Sequence, residues 1–167
     1  MDSDVQIRTA EAADVPAMLN IYNDAVLNTV ATFDLEPRTL ADWETWAAHH
    51  NTRNYPLSVA VVNGTVAGYA CLSPYRPMPA YDSTVELSVY IHPQFFGRGL
   101  ATALTQRMLE LATADSRTHL VVSVITADNA ASIHLHEKLG FTYCGRHHEA
   151  GYKHGAYHDV VHYEKRV

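Results

Sequence analysis

The sequence predicts an α+β domain in which helices and strands alternate along a single chain. Its 167 residues fall within the usual size of one domain, and no internal repeat or Pro/Gly/Ser-rich linker divides them. Segments with apolar residues at every second position alternate with segments in which apolar residues recur every three or four positions. The second half reads strand, helix, strand, helix, strand, which implies at least one crossover connection. We therefore expect one domain covering residues 1–167.

Composition and charge exclude several classes of protein. Twelve Lys and Arg against eighteen Asp and Glu give a net charge of −6, which disfavours binding to the phosphates of DNA or RNA. No apolar run approaches the roughly 20 residues that span a membrane, and the polar residues 1–9 do not resemble a signal peptide. Cys71 and Cys144 form no CxxC motif, as is typical of plain thiols in a reducing compartment. We expect a cytoplasmic protein with no nucleic-acid and no membrane partner.

Helix signals in the first half are local. Asp14 is predicted to cap a first helix that extends to about Asn28, with Pro16 tolerated in its first turn. Thr39 and Asp42 have the spacing of a capping box at the start of a second helix. Each signal satisfies N–H groups that a helix leaves free at its first turn.

Strand signals surround these helices. Residues 5–8 predict a first strand, and the β-rich segments 57–62 and 66–72 predict a hairpin. Asn63-Gly64 between them suits a type I′ turn, because both central residues of that turn need positive φ.

The second half predicts four more strands and two helices. Residues 84–91 alternate cleanly, with Glu86 on the polar face. Residues 120–126 are continuously apolar, which predicts a strand buried on both faces. A helix over 129–139 is expected to end at Gly140, and segments 141–145 and 157–163 complete the strands.

A glycine turn connects the strand over 84–91 to the next helix. Gly97-Arg98-Gly99 precedes a helix that carries Leu100 and Leu104. Such a turn directs several backbone N–H groups outward at the positive end of the helix dipole, an arrangement that suits a phosphate. Spacing alone favours an ordinary tight turn, since Gly-x-Gly is common.

Two motifs change that balance. Phe96-Gly97-Arg98-Gly99-Leu100-Ala101 resembles the pyrophosphate loop of the GCN5-related N-acetyltransferases, whose pattern is Gln/Arg-x-x-Gly-x-Gly/Ala; Gly99 and Ala101 fit, while Phe96 departs from it. Residues 129–141, Asn-Ala-Ala-Ser-Ile-His-Leu-His-Glu-Lys-Leu-Gly-Phe, resemble a later segment of the same family. Two matches in the right order and structural context identify the chain as similar to this family.

Further segments are similar to the phosphinothricin and methionine sulfoximine N-acetyltransferases within that family. They include residues 21–26, 74–77, 84–86, 88–90 and 151–155, and the resemblance covers roughly residues 5–163. It implies a three-layer fold of α/β type. A mixed, mostly antiparallel sheet of about seven strands is flanked by about four helices, and a splayed strand pair binds acetyl-CoA. It also implies a homodimer. We expect no metal cofactor, and that expectation comes from the spacing of the histidines rather than from the resemblance.

The resemblance implies a donor site and a proton path. Glu86 is the expected general base for the acceptor amine, acting directly or through water, and His136 the expected acid or base near the sulfur. Asn129, Ser132 and His136 share one helical face, which supports their grouping. The residues expected to bind acetyl-CoA are Val89, Tyr90, Ile91, Phe96, Gly97, Arg98, Gly99, Leu100, Ala101, Asn129 and Ser132.

An acceptor with an amine and a carboxylate is implied as well. Arg76 is expected to bind the carboxylate or a phosphinate-like group through paired hydrogen bonds. Tyr75 and Tyr81 are placed beside it, and Phe33 is placed as an apolar wall. The full set expected at the acceptor is Phe33, Tyr75, Arg76, Pro77, Tyr81, Glu86, Leu87 and Ser88. Departures at Met78, Asp82, Ser83 and Tyr157 lie close to this region and leave the identity of the acceptor open.

Alternatives remain at this point. Without the resemblance, Glu86 and His136 would be interpreted as surface residues. The acceptor is alternatively a protein N-terminus or a polyamine. A non-catalytic acyl-CoA-binding module on the same fold is a third possibility. His154, His158 and His162 recur every four residues, but a strand would separate the last two by about 13 Å, too far for one zinc ion.

Overall fold

The computed structural model describes residues 4–167, which form seven strands and four α-helices. The strands are β1 (Val5–Thr9), β2 (Leu57–Val62), β3 (Thr65–Pro74), β4 (Thr84–Ile91), β5 (Leu120–Thr126), β6 (Thr142–Lys153) and β7 (Ala156–Arg166). The helices are α1 (Val15–Asn28), α2 (Leu40–Ala48), α3 (Leu100–Ala114) and α4 (Ala130–Lys138).

All seven strands belong to one sheet, in the order β1-β2-β3-β4-β5-β7-β6. Neighbouring strands are antiparallel except β4 and β5, which are parallel and are connected through α3. β4 and β5 pair only over residues 84–86 with 120–122, and beyond this short ladder the two strands diverge. The α+β class, the mixed sheet, the strand and helix numbers and the splayed pair are all confirmed.

The sheet is the middle of three layers. On one face, Leu100, Leu104 and Met108 of α3 pack with the apolar residues of the central strands. On the other face, α1 and α2 cover β2 and β3, and Met18 and Val26 are almost fully buried there. Side chains that alternate along β4 therefore enter different layers, with Leu87 toward α3 and Tyr90 toward α1.

Several local predictions are confirmed. The Thr39 side chain accepts a hydrogen bond from the Asp42 N–H at 3.2 Å, and the Asp42 carboxylate accepts one from the Thr39 N–H at 3.4 Å. In the β2–β3 turn, Asn63 and Gly64 have φ of 49° and 80°, as a type I′ turn requires. The predicted cap at Gly140 has φ of 84°.

Asp14 does not cap α1 with its side chain. It lies immediately before the helix, but its carboxylate accepts two hydrogen bonds from the Arg8 guanidinium and one from the Glu11 N–H. This charge-assisted pairing competes successfully with the first turn of the helix.

Two predictions for the strands are wrong in extent. β5 is not buried on both faces, because Val124 is 41% exposed where the strand leaves its partner β4. β6 and β7 are longer than predicted and form one hairpin, interrupted by register shifts between Tyr143 and Gly145 and between His147 and Gly151. Polar, histidine-rich strand ends carry no apolar alternation, so the sequence did not reveal them.

Across residues 4–167, none of the helices combines the length and the apolar character needed to cross a membrane.

Candidate active site

A cavity of about 240 Å³ opens where β4 and β5 part. Its walls come from both strands, from α4 and from the segment after α1. The residues that matter for chemistry here are Phe33, Glu86, Ser88, Ser123, Asn129, Ser132 and His136. The predicted shared face of Asn129, Ser132 and His136 is confirmed, since all three line this cavity.

Glu86 is the last β4 residue paired with β5 and is partly buried. Burial raises the pKa of its carboxyl group above the ordinary value of 4.5. A carboxylate with a raised pKa is a stronger base, and its place at the point where the strands part directs it into the cavity.

His136 is only 2% exposed, and both of its ring nitrogens have partners. Nδ1 lies 2.7 Å from the Ser132 carbonyl oxygen, and Nε2 lies 2.8 Å from the Ser123 hydroxyl. A carbonyl can only accept, so Nδ1 carries the hydrogen and Nε2 accepts from Ser123. Burial lowers the pKa of the imidazole, against the opposing effect of the Ser132 carbonyl, and this favours the neutral ring.

Ser123 is a site residue that sequence reasoning missed. Its signal was a hydroxyl in the middle of a mostly apolar strand, a pattern that also fits a serine bonded within the sheet. Only the packing of β5 against α4 brings this hydroxyl to His136, and that contact joins residues thirteen positions apart.

A larger cavity of about 490 Å³ follows the start of α3. It is lined by all eleven residues predicted to bind the donor, from Val89 on β4 through the glycine turn to Asn129 and Ser132. Gly97 and Gly99 both have φ of 75°, which favours glycine, and a Cβ atom on either would meet no heavy atom within 4 Å. The turn thus leaves free space beside its backbone.

This cavity fits the pyrophosphate and the pantetheine arm of an acyl-CoA. The N–H groups of Leu100, Ala101 and Thr102 lie in the first turn of α3, where no intrahelical carbonyl is available to them. They can bind a pyrophosphate at the positive end of the helix dipole. Residues 89–91 lie beyond the last β4–β5 pair, so their backbone on the β5 side is available to a pantetheine arm.

The predicted acceptor residues fall into two groups. Phe33, Glu86, Leu87 and Ser88 line the cavity between β4 and β5. Tyr75, Arg76, Pro77 and Tyr81 lie instead on the segment between β3 and β4. There the Arg76 guanidinium lies 5.1 Å from the Tyr75 ring centre, and the two tyrosine rings are 5.5 Å apart. The structure does not bring this second group into the cavity.

An aromatic cavity of about 290 Å³ adjoins the first and shares Ser88 and Tyr90 with it. Tyr22 stacks on Trp43 at 4.4 Å, and Trp43 stacks on Trp46 at 4.5 Å. Trp43 is buried, and both tryptophans form a wall of this cavity beside the site.

Within the described part of the chain, residues 4–167, no group of three or more His, Cys, Asp or Glu side chains is arranged to hold a metal ion. His158 and His162 lie on β7, as the alternating pattern predicted.

The acetyltransferase (GNAT) domain model matches residues 4–142 of this chain. The chain belongs to the GNAT family. Over 156 residues it is 41% identical to an L-methionine sulfoximine/L-methionine sulfone acetyltransferase of Pseudomonas paraeruginosa, covering 93% of this chain and 90% of that protein. It is 40% identical to a phosphinothricin N-acetyltransferase of Streptomyces viridochromogenes, covering 93% and 84%.

Among solved structures, a GNAT superfamily phosphinothricin acetyltransferase of Sinorhizobium meliloti in complex with AcCoA superposes with a TM-score of 0.93. The two chains are 31% identical, and the match covers 100% of this GNAT chain and 89% of the other. This GNAT member is an acetyl-CoA-dependent N-acetyltransferase, and the non-catalytic alternative is not favoured.

Proposed function

We propose that this enzyme transfers the acetyl group of acetyl-CoA to the primary amine of a small amino-acid-like acceptor, such as methionine sulfoximine or phosphinothricin. Support comes from relatives whose names specify these acceptors and that align over most of this chain. The observation that carries the proposal is the position of Glu86. It lies at the point where β4 and β5 part, beside the cavity predicted for the donor and in a cavity of about 240 Å³ that suits a small acceptor.

Glu86 acts on the amine. An ammonium group has no lone pair with which to attack a thioester, so it must first lose a proton. The half-buried carboxylate of Glu86 takes that proton, directly or through one water, and releases it to solvent. Holding amine and thioester in line within the cavity supplies much of the remaining rate enhancement.

Arg76 binds the acceptor's carboxylate or phosphinate in this proposal. Its segment directly follows Pro74, the last residue of β3, which pairs with Val85 next to Glu86, so the chain leaves the sheet one residue from the proposed base. A planar guanidinium can donate two parallel hydrogen bonds to such a group. Tyr75 holds the guanidinium over its ring, and Phe33 supplies an apolar wall at the cavity.

An acceptor panel tests this function. Release of CoA is measured with methionine sulfoximine, methionine sulfone, phosphinothricin, common amino acids, a peptide N-terminus and spermidine. We expect the first three to give the highest kcat/KM. A higher value for the peptide or for spermidine would contradict the acceptor class while leaving the N-acetyltransferase activity intact.

Arg76→Ala tests the acceptor's anchor. We expect KM for methionine sulfoximine to rise about tenfold or more, with acetyl-CoA binding unchanged, since one charged contact is lost. Arg107→Ala, at an arginine that pairs with Glu110 on α3, is the matched control and should leave both unchanged. A loss confined to acetyl-CoA binding would remove Arg76 from the acceptor site.

We further propose that the enzyme is cytoplasmic. Both cysteines are free thiols, Cys71 buried and Cys144 exposed, as a reducing compartment would keep them. Cell fractionation with an antibody against the chain tests this, and recovery in an extracellular fraction would contradict it.

A homodimer is proposed as well. Three tyrosines of the β6–β7 hairpin, Tyr143, Tyr152 and Tyr157, are each more than half exposed, and aromatic side chains are enriched at protein interfaces. Light scattering should give twice the 18.6 kDa of one chain. A mass of one chain at micromolar concentration would contradict the dimer.

A further inference from the structure

The hydrogen bonds of the Ser123–His136 pair have a defined direction in the resting protein. The Ser132 carbonyl fixes the hydrogen of the imidazole on Nδ1, at 2.7 Å, so Nε2 presents a lone pair. The Ser123 hydroxyl lies 2.8 Å from Nε2 and is the hydrogen-bond partner of that lone pair. In the resting protein, Ser123 therefore donates to His136 and its own lone pairs remain available to accept a proton.

Ser123 occupies a specific place in the sheet. It is the first β5 residue after the last β4–β5 pair, and Glu86 is the last β4 residue before the strands diverge. The two side chains lie on opposite faces, because Ser123 bonds to α4 whereas Glu86 shares its face with Tyr90, which contacts Tyr22 of α1. Both nevertheless line the same cavity, which passes between the two strands.

The donor cavity reaches the same point from the α4 side. It is lined by Ser132 and Leu135 of α4 as well as by the glycine turn, and it shares Asn129 and Ser132 with the cavity that holds Ser123. The donor cavity thus adjoins the cavity that Ser123 and Glu86 line, Ser123 from the α4 face and Glu86 from the α1 face.

We propose that Ser123 is a second proton-transfer group, which moves a proton from the reacting amine to His136 and then from His136 to the departing sulfur. The inference rests on the proposed function. The family resemblance placed His136 itself at the sulfur; the geometry gives the contact to Ser123 and makes His136 the positioning and proton-storing residue behind it.

The protons balance. Glu86 takes the first proton of the ammonium, and the amine nitrogen then forms a bond to the acetyl carbon. That nitrogen, now positively charged, gives its second proton to Ser123 Oγ while the Ser123 proton passes to Nε2 of His136. The C–S bond breaks, the proton returns from Nε2 through Ser123 Oγ, and the thiolate leaves as a thiol. No oxidant, reductant or further reactant is needed.

One hydroxyl can serve both atoms, because nitrogen and sulfur are bonded to the same acetyl carbon when the proton is transferred. A group within hydrogen-bond distance of one of them is then close to the other. The neutral, buried imidazole suits the task, since it can accept a proton at Nε2 and keeps Nδ1–H bonded to Ser132 throughout.

The same bonding pattern occurs at His50. Its Nδ1 lies 2.9 Å from the Trp46 carbonyl and its Nε2 lies 2.9 Å from the Ser73 hydroxyl. Such a pair can therefore simply stabilise a helix against a strand. What distinguishes Ser123 is its place at the meeting point of the donor cavity and the Glu86 cavity, so the test must separate a proton path from a structural bond.

An isosteric pair of variants makes that separation. Ser123→Thr and Ser123→Val have the same shape and differ only in whether a hydroxyl is present. We expect kcat to fall by about 10²-fold in Ser123→Val, the lower end for a lost proton-transfer group, and to stay within a few-fold of wild type in Ser123→Thr. Ser58→Ala, at a buried serine of β2 whose hydroxyl has no partner, is the control and should leave kcat unchanged.

Solvent isotope effects report the proton path directly. In mixtures of H₂O and D₂O, the wild-type kcat should show a curved dependence, as expected for several protons in flight, and Ser123→Val a linear one. All rates are measured with whichever amine of the panel gives the highest kcat/KM. An unexpected acceptor would then contradict the acceptor class but not the role of Ser123.

A measurement without any acceptor completes the test. ¹⁵N NMR of the histidine rings, with His136 assigned through His136→Gln, should show a neutral ring with hydrogen on Nδ1, and Ser123→Val should shift the Nε2 resonance. Equal kcat in Ser123→Thr and Ser123→Val, or hydrogen on Nε2 in the wild type, would overturn the proposal. If both variants fail to fold, Ser123→Ala with the same readouts replaces them.

Discussion

Glu86 differs from the other perturbed carboxylates of the chain in what surrounds it. Asp14, Asp34, Asp115 and Asp159 lie beside arginine guanidinium groups, which help to hold their pKa values below the ordinary range. Glu86 has no such partner, and burial alone raises its pKa. Four carboxylates are thereby fixed in the charged state as structural anchors, whereas Glu86 remains able to exchange a proton.

Glu86→Gln should lower kcat/KM by about 10²–10⁴-fold while acetyl-CoA still binds, because the amide keeps the shape and loses the basicity. The wild-type rate should fall as the pH drops through the raised pKa of Glu86, and the loss in the variant should shrink at high pH, where more amine is already deprotonated. A pH profile of kcat/KM measures both. Glu110→Gln on α3 is the control; near-normal turnover of Glu86→Gln at all pH values would contradict the base.

His136 shows what a residue pattern can and cannot predict. Helical spacing placed it correctly beside Asn129 and Ser132. The Ser132 carbonyl of its own helix sets its tautomer, but its connection to the cavity depends on a serine from β5, which is near it only after the chain has folded. The same limit applies to Tyr22 and Trp43. Their stacking joins α1 to α2 and forms a wall of the aromatic cavity, which no local sequence pattern predicts.

At the scale of elements, the secure predictions were those whose cause is local. The Asn63-Gly64 turn, the Thr39 capping box and the glycine turn before α3 are each fixed by the backbone preferences of two to four residues. The failures have non-local causes. The Arg8 guanidinium binds the Asp14 carboxylate, which therefore does not cap α1. The divergence of β4 from β5 exposes Val124.

Gly99→Val should weaken acetyl-CoA binding by tenfold or more, because a β-branched residue resists φ of 75° and so distorts the N–H groups that start α3. Gly64→Val is a matched control. Its φ is 80°, its added side chain also meets open space, and it lies in the β2–β3 turn. Both substitutions cost about 1–3 kcal/mol of stability, but only the first should alter binding in calorimetry. Equal affinities would remove this turn from the donor site.

Protonation of buried side chains also makes the stability of the whole molecule depend on pH. Burial lowers the pKa of His50, His136 and His162, so the folded protein keeps these rings neutral at a pH where the unfolded chain would protonate them. Between pH 7 and 5 the unfolded state therefore binds more protons at these rings, and acidification favours it. Glu86 has the opposite effect above its ordinary pKa of 4.5, because the folded state then holds the extra proton.

The free energy of unfolding, measured with urea, should thus fall as the pH is lowered from 7 to 5, by up to about 1.4 kcal/mol per pH unit for each proton of difference. His50→Gln should reduce this slope, since the variant cannot take up a proton on unfolding, and Glu86→Gln should steepen it by removing the opposing group. His119→Gln, at an exposed histidine, should leave the slope as it is. A slope of zero in the wild type, or the same slope in all three variants, would show that the buried histidines do not couple folding to protonation in this pH range.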